Sequence, residues 1–213
     1  MKASTTKNPR PAPRGGLSEA ANAILDVAEK LAQTRGYNGF SYADIAVDLG
    51  VTKASLHYHF ASKAELGRAL IERYHRAFAS ALESIVQKTP DPLRKLRRYV
   101  ALYDAVIRND RMCLCGMLAA AYTTRPASMQ EGLKHFFDMN ERWLTAVLQE
   151  GRRSGSFLFK ESANERARVI LGTLEGAMLV ARSYGDAQRF EAAAEHLLAD
   201  CGIRKHLRQA KPA

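Results

Sequence analysis

Residues 41–60 read SYADIAVDLGVTKASLHYHF, and this stretch decides the fold. Ser41 stands before Asp44 at a capping-box spacing, which predicts a short helix over Tyr42 to Leu49, closed by Gly50. After the turn Gly50-Val51-Thr52, the segment Lys53 to Phe60 has room for barely two helical turns. It ends before Ser62, which with Glu65 sets up another capping box. Upstream, Ile24, Val27, Ala28 and Leu31 recur at helical spacing between Ser18 as N-cap and Gly36 as stop, so a helix is expected over Leu17 to Arg35. Helix, sharp glycine-containing turn and second helix is the arrangement that lets a helix protrude from a small bundle into a major groove. The third helix carries hydroxyls, a cation and imidazoles (Thr52, Lys53, Ser55, His57, Tyr58, His59) over the apolar anchors Leu56 and Phe60. Such side chains suit phosphate oxygens, and residues near a helix start are the ones placed against base edges. The candidate DNA contacts are Ser41, Tyr42, Thr52, Lys53, Ala54, Ser55, His57, Tyr58, His59 and Lys63.

The composition agrees with an all-α chain. Apolar residues make up 46% and charged residues 25% of 213 residues, with helix formers prominent and few β-branched runs. A formal net charge of +10 implies a polyanionic partner, because Lys and Arg gain from releasing condensed counterions; charge alone does not separate nucleic acid from an anionic membrane surface. No apolar run is long enough to span a bilayer and no secretory signal stands at the start, so a cytoplasmic protein without membrane association is expected. Cys113, Cys115 and Cys201 form no framework spacing, and no disulfide is expected. Residues 1–16, with Lys2, Lys7, Arg10 and Arg14 and no acid, read as a disordered basic arm: a solubilising tail, or an arm that tracks phosphates. Arg204, Lys205, Arg208 and Lys211 read as a solvated basic tail.

Gly36-Tyr37, Phe40-Ser41, Ile45-Ala46, Gly50-Val51-Thr52-Lys53, Leu56-His57-Tyr58-His59-Phe60, Ser62-Lys63 and Glu65-Leu66 together resemble the N-terminal signature of the TetR family over residues 17 to 66. The resemblance implies an all-helical homodimer, with N-terminal domains on a pseudo-palindromic DNA operator and C-terminal domains that bind a small-molecule inducer. His57 departs from the pattern, where the family more often has Tyr. The expected organisation is the arm 1–16, a three-helix helix-turn-helix domain 17–62, a larger helical effector-binding and dimerisation domain 63–207 entered through one long helix, and the tail 208–213. No cofactor and no metal is expected; His57 and His59 read as packing or phosphate-contacting imidazoles.

Beyond the long helix from Ser62 to Thr89, helices are expected over Pro92 to Asn109, Met112 to Thr123, Ala127 to about Arg153, Asn164 to Tyr184 and Ala187 to about Leu207. Residues 112–120 weakly resemble a segment of some family members, where the family begins a helix lining the effector cavity. Cys113, Met117, Tyr122, Phe136, Phe137, Met139 and Trp143 are the candidate ligand walls, with plain core packing the alternative for each. Cys113 and Cys115, near Arg108 and Arg111, offer a redox or electrophile sensor as another reading, against inert apolar filling. On the last two helices Leu171, Gly172, Leu174, Gly176 and Met178, with Ala194, Leu197 and Leu198, are the candidate four-helix dimer interface; closure of the monomer core is the alternative. An inducer is expected to act by shifting the long helix. An enzyme built on Cys113 and His135 lacks any supporting motif, and a DNA-binding protein without a ligand stays open.

Overall fold

The structure, a computed structural model, describes residues 17–201. The expected basic arm, the end of the last helix and the basic tail lie outside the described residues. Within them the chain forms α1 (Glu19–Arg35), α2 (Tyr42–Leu49), α3 (Lys53–His59), α4 (Lys63–Lys88), α5 (Pro92–Ile107), α6 (Leu114–Ala119), α7 (Ala127–Arg153), α8 (Ala163–Tyr184) and α9 (Gln188–Ala199). Short 3-10 turns stand at Tyr37–Gly39 and Tyr122–Thr124, and there is no strand among the described residues. None of these helices is long and apolar enough to cross a membrane.

Caps place the boundaries. Ser18, Thr52, Ser62, Asp91 and Ser162 each accept a backbone N–H at the start of their helix, and Ser41 with Asp44 and Ser162 with Glu165 form complete capping boxes. Gly50 closes α2 at φ +64°, a left-handed conformation that a side chain rarely adopts. The expected helix over Met112 to Thr123 is a correction: only Leu114–Ala119 is α-helical, followed by a 3-10 turn. Cys113 provides no side-chain cap, Gly116 weakens the interior, and Thr123-Thr124 before Pro126 favour an extended or tightened turn.

α4 runs through the whole molecule. Its buried stripe begins with Leu66 and Leu70 against α1 and continues through Tyr74, Phe78, Leu82 and Ile85 among α5 and α7. Phe78 stands at the centre of an aromatic cluster, 5.3 Å from Phe136, 5.9 Å from Tyr103 and 6.2 Å from Tyr99. Tyr99 donates to Asn140 Oδ1 at 2.8 Å and stacks on Trp143 at 5.3 Å. Lys95 is buried and reaches both carboxylate oxygens of Glu150, joining α5 to α7. Gly151 sits under the ring of Phe157, which a methyl there would overlap. Gly151→Ala is accordingly expected to destabilise the chain by about 1–3 kcal/mol, read as a lower midpoint in thermal or urea unfolding.

The N-terminal head is fastened to the body at several points. Arg73 of α4 holds Asp26 at 2.6 Å and Glu29 at 2.7 Å on α1. Arg182 of α8 donates to the Gln33 and Thr34 carbonyls at the C-terminal end of α1, and Met112 N–H donates to Gln33. Arg125 lies over the Tyr37 ring and reaches Asn38.

Glu175 on α8 is partly exposed, but its carboxyl presses against α6, and its removal from water there pushes it up from 4.5 to about 7. A carboxyl raised in the folded state favours its protonated form, so its contribution to stability is complete below its unfolded value near 4.5 and is lost as pH rises through about 7. Glu175→Gln is therefore expected to gain on the native chain by about 3 kcal/mol between pH 4 and pH 8, measured as the difference between their urea midpoints across that range.

Candidate nucleic-acid interface

α3 is short, and only Leu56 along its length is buried; Phe60 after it is buried as well. Those two residues hold the helix to the head, and every other face is presented outward. Thr52, Lys53, Ala54, Ser55, His57 and Tyr58 are exposed, Tyr58 by 72%, and His59 is half-buried with its ring 5.2 Å from that of Tyr58. Thr52 also caps the helix, its hydroxyl accepting the Ser55 N–H. An exposed tyrosine beside an exposed lysine and serine, on a helix anchored at two points, is free to meet base edges and phosphates.

Ser41 lies exposed at the start of α2, its hydroxyl accepting the Ala43 N–H and donating to Asp44. Those hydrogen bonds from Ser41 hold the Asp44 carboxyl below its usual range. Tyr42 is a correction. It is buried, its hydroxyl donates to the Phe60 carbonyl at 2.8 Å, and burial pushes it up to about 12. Its apolar ring is used inside the head and braces the end of α3, which leaves no hydroxyl to offer a phosphate.

Lys63 donates to the Phe40 carbonyl and lies over the rings of Tyr37 and Phe40 at 4.7 and 4.3 Å; burial pulls its ammonium below the usual range, helped by Arg125. It is thus half-spent inside. Yet Lys63, Lys53 and His57 line a shallow niche of about 350 Å³ with Ser41, Tyr42 and Ala43. His57 Nδ1 lies 3.2 Å from the Ala61 carbonyl, and its ring is 4.6 Å from that of Tyr42. The niche gathers two cations and an imidazole at the N-terminus of α2, chemistry that accepts a phosphate. Sequence reasoning missed Val47 on α2, 81% exposed beside the reading helix. An apolar residue standing free there can meet a thymine methyl.

The candidate ligand walls do not converge. Cys113 and Phe136 are buried in the packed core, and Met117 reaches toward Gly36 of the head. Tyr122 lies under the Lys134 ammonium and Phe137 beside Phe136. Met139 and Trp143 line a separate apolar groove of about 300 Å³ with Ala79, Leu82, Glu83, Val86 and Gln87 of α4. Of the two readings of Cys113 and Cys115, inert apolar filling is the one their surroundings favour over activation by nearby arginines. Both thiols are buried, and burial pushes them well up, with Glu175 adding to it. Arg108 meanwhile is paired with Asp104 and Glu191. A protonated, sealed thiol is a poor nucleophile.

On the last two helices, Leu171, Leu174 and Met178 of α8 and Ala194, Leu197 and Leu198 of α9 are buried within the chain itself. These six candidates are corrected: their side chains are spent mainly on the monomer's own core. Gly172 is exposed and Gly176 half-exposed, on a stripe with Val169, Thr173, Leu179 and Val180. Leu179 and Val180 are large apolar residues left in the open. A Cβ on Gly172 or Gly176 would meet nothing within 4 Å, so nothing inside the chain calls for glycine at either position.

Residues 24–70 match the family of bacterial regulatory proteins, tetR family, and residues 92–197 match the tetracyclin repressor-like C-terminal domain. Among solved structures, a TetR family transcriptional regulator from Agrobacterium tumefaciens is 33% identical, with a TM-score of 0.82 over 85% of this chain and 96% of that one. A TetR transcriptional regulator from Legionella pneumophila is also 33% identical, with a TM-score of 0.79 over 89% of this chain and all (100%) of that one. The transcriptional regulator AcuR of Cereibacter sphaeroides is 25% identical over 178 residues, 82% of this chain and 80% of AcuR. The nucleoid occlusion factor SlmA of Vibrio cholerae is 25% identical over 152 residues, 71% of this chain and 78% of SlmA.

Proposed function

The chain belongs to the tetR family of bacterial regulatory proteins, DNA-binding transcriptional regulators with a helix-turn-helix, and we propose that it acts as a homodimeric repressor released from its operator by a small-molecule inducer. The observation that carries this reading is the outer face of α3, where Thr52, Lys53, Ala54, Ser55, His57 and Tyr58 stand exposed on a helix held by Leu56 and Phe60. In the complex α3 lies in the major groove, and the niche of Lys53, His57 and Lys63 seats a backbone phosphate.

The dimer forms through the exposed stripe of α8, Val169, Gly172, Thr173, Gly176 and Val180, joined by the exposed face of α9 with Ala192 and Ala199. Small residues one turn apart let a partner helix approach closely, and two helices from each chain make a four-helix interface. The buried Leu174, Met178, Ala194 and Leu197 hold that face in shape from beneath.

The inducer acts in the larger domain, shifts α4 and changes the separation of the two reading heads. Half-sites about one helical turn apart must be met together, so a small rigid-body change removes the fit of both. Inducer and operator are then coupled reciprocally, typically by about 1–3 kcal/mol.

A second reading, DNA binding without an inducer, is favoured by candidate ligand walls that do not share one cavity. One experiment separates them. The purified chain is titrated onto labelled duplex from the region upstream of its gene, in rising salt and against random competitor, with and without a library of small molecules. Competitor-resistant, salt-sensitive binding that some compounds weaken supports the inducible repressor. Binding of that kind that no compound alters favours the second reading.

A further inference from the structure

Neither DNA contact nor dimerisation uses Glu175. Its carboxyl presses against α6, where a methyl on Gly116 would overlap Oε2, so the missing side chain of Gly116 is what makes room for it. Oε1 is sealed from solvent and has no hydrogen-bond partner among the described residues. The groups that feel its charge are Tyr74 from α4, Tyr99 and Tyr103 from α5, and Cys113 and Cys115 at the start of α6. None is a cation. Among the described residues, the only interaction that favours its ionised form is with the Cys113 thiol.

A carboxylate taken from water without a counter-charge is unfavourable, and such a group usually loses its charge or finds a partner. The surroundings indicate which partner is missing. Tyr74 lies 5.5 Å from Phe136 and 6.2 Å from Phe78, and Phe78 lies 5.9 Å from Tyr103, so the tyrosines that feel its charge belong to one aromatic cluster shared by α4, α5 and α7. Aromatic faces attract cations, and an ammonium N–H supplies the donor that Oε1 lacks. There is also a way in, since Glu175, Gly116 and Met117 are each partly exposed along the seam between α6 and α8.

We propose that this seam is the inducer site and takes a small organic cation, an amine bound as its ammonium, with Glu175 Oε1 as the anchoring acceptor and Tyr74 and Tyr103 beside it. The proposal rests on the reading of the chain as an inducible repressor. It also supplies a route to the DNA head: α6 packs on α1, Met117 lies 3.6 Å from the place of a Gly36 Cβ, and Arg182 on the same α8 grips the end of α1. An occupant that parts α6 from α8 presses on the head at both points.

The full chain is titrated with methylammonium, butylammonium and 2-phenylethylammonium chlorides, and in parallel with 2-phenylethanol and 3-phenylpropionate. Binding is followed by calorimetry and by the fluorescence of Trp143, the single tryptophan, which stacks on Tyr99. At least one ammonium is expected to saturate while the alcohol and the carboxylate do not, and Glu175→Gln is expected to weaken that binding at least 10-fold. In the native chain the affinity should fall about tenfold per pH unit below pH 7, because a protonated Glu175 must ionise to take the cation. The pH profile of the native chain decides the matter even where Glu175→Gln does not fold. The proposal is overturned if no ammonium binds, if the alcohol binds as tightly, if Glu175→Gln folds and binds unchanged, or if affinity is flat with pH. Operator affinity is measured separately on the unliganded chain. Loss there sinks the regulator reading, whereas an ammonium that binds at Glu175 and leaves operator affinity unchanged overturns the inducer assignment alone.

Discussion

Alanine at both Lys53 and Tyr58 is expected to lower operator affinity by about 100-fold or more while the thermal midpoint stays within a degree or two. Both side chains are exposed, and among the described residues neither takes part in a hydrogen bond or ion pair that holds the head together. Removing them therefore leaves the fold intact, since surface substitutions usually change stability by no more than about 0.5 kcal/mol. A base-edge contact is worth about 1–3 kcal/mol, and a dimer loses it twice. The salt slope of binding should also fall by about one for each phosphate contact removed. Leu56→Ala supplies the contrast: it empties a buried anchor, costs about 2–5 kcal/mol of stability and abolishes binding by loosening the helix. Fluorescence anisotropy and thermal unfolding of the same preparations distinguish the two. A double variant that binds the operator as tightly as the native chain would remove α3 from the interface.

Gly176→Arg is expected to leave a folded monomer that no longer holds its operator. A Cβ at this position meets open space and the backbone is helical, so arginine makes no clash inside the chain and improves the helix propensity of α8 by up to about 1 kcal/mol. In a dimer closed by α8 the same residue falls where a partner helix must come close, and its charge repeats across the two-fold axis. Sedimentation of the native chain should give twice the chain mass of 23.6 kDa, and that of the variant the single value. Operator affinity should drop by more than about 100-fold, because each head then binds a half-site without the other. A variant that remains a dimer would move the interface off this face.

The reading head was legible because its signals are local. Ser41 with Asp44, Gly50, Thr52 and Ser62 fix the ends of α2, α3 and α4 by hydrogen bonds within a few residues of each, and the spacing is visible in the sequence. Side-chain direction was not legible. Tyr42 reads like the other polar residues of the head, and only the position of the Phe60 carbonyl turns its hydroxyl inward. On α8 apolar residues occupy both the face toward α7 and α9 and the face left open. Periodicity marks a helix there without saying which stripe packs at home. Leu171, Leu174 and Met178 read as partner-facing in the sequence for that reason.

The larger domain depends on contacts between distant segments. Cys113 and Cys115 look activatable in sequence beside Arg108 and Arg111, yet Arg108 turns to Asp104 and Glu191 while the thiols are sealed in the core. Glu175 gave no warning, since a glutamate between Leu174 and Gly176 reads as a solvated position. The enclosure of its carboxyl follows from Gly116, far away in the chain and opposite it in space. Asn140 is the exception that sequence could have caught: it stands in register with Phe136 and Leu144 on the buried stripe of α7, where a polar residue needs a partner, here Tyr99.

The most direct measurement is selection by the purified native chain from a pool of randomised duplexes, followed by sequencing of the bound fraction. Enrichment of an inverted repeat with half-sites about one helical turn apart is the result expected of two α3 helices on a two-fold dimer. A bound pool with no enriched sequence, or with one lone half-site, would contradict operator reading by this dimer.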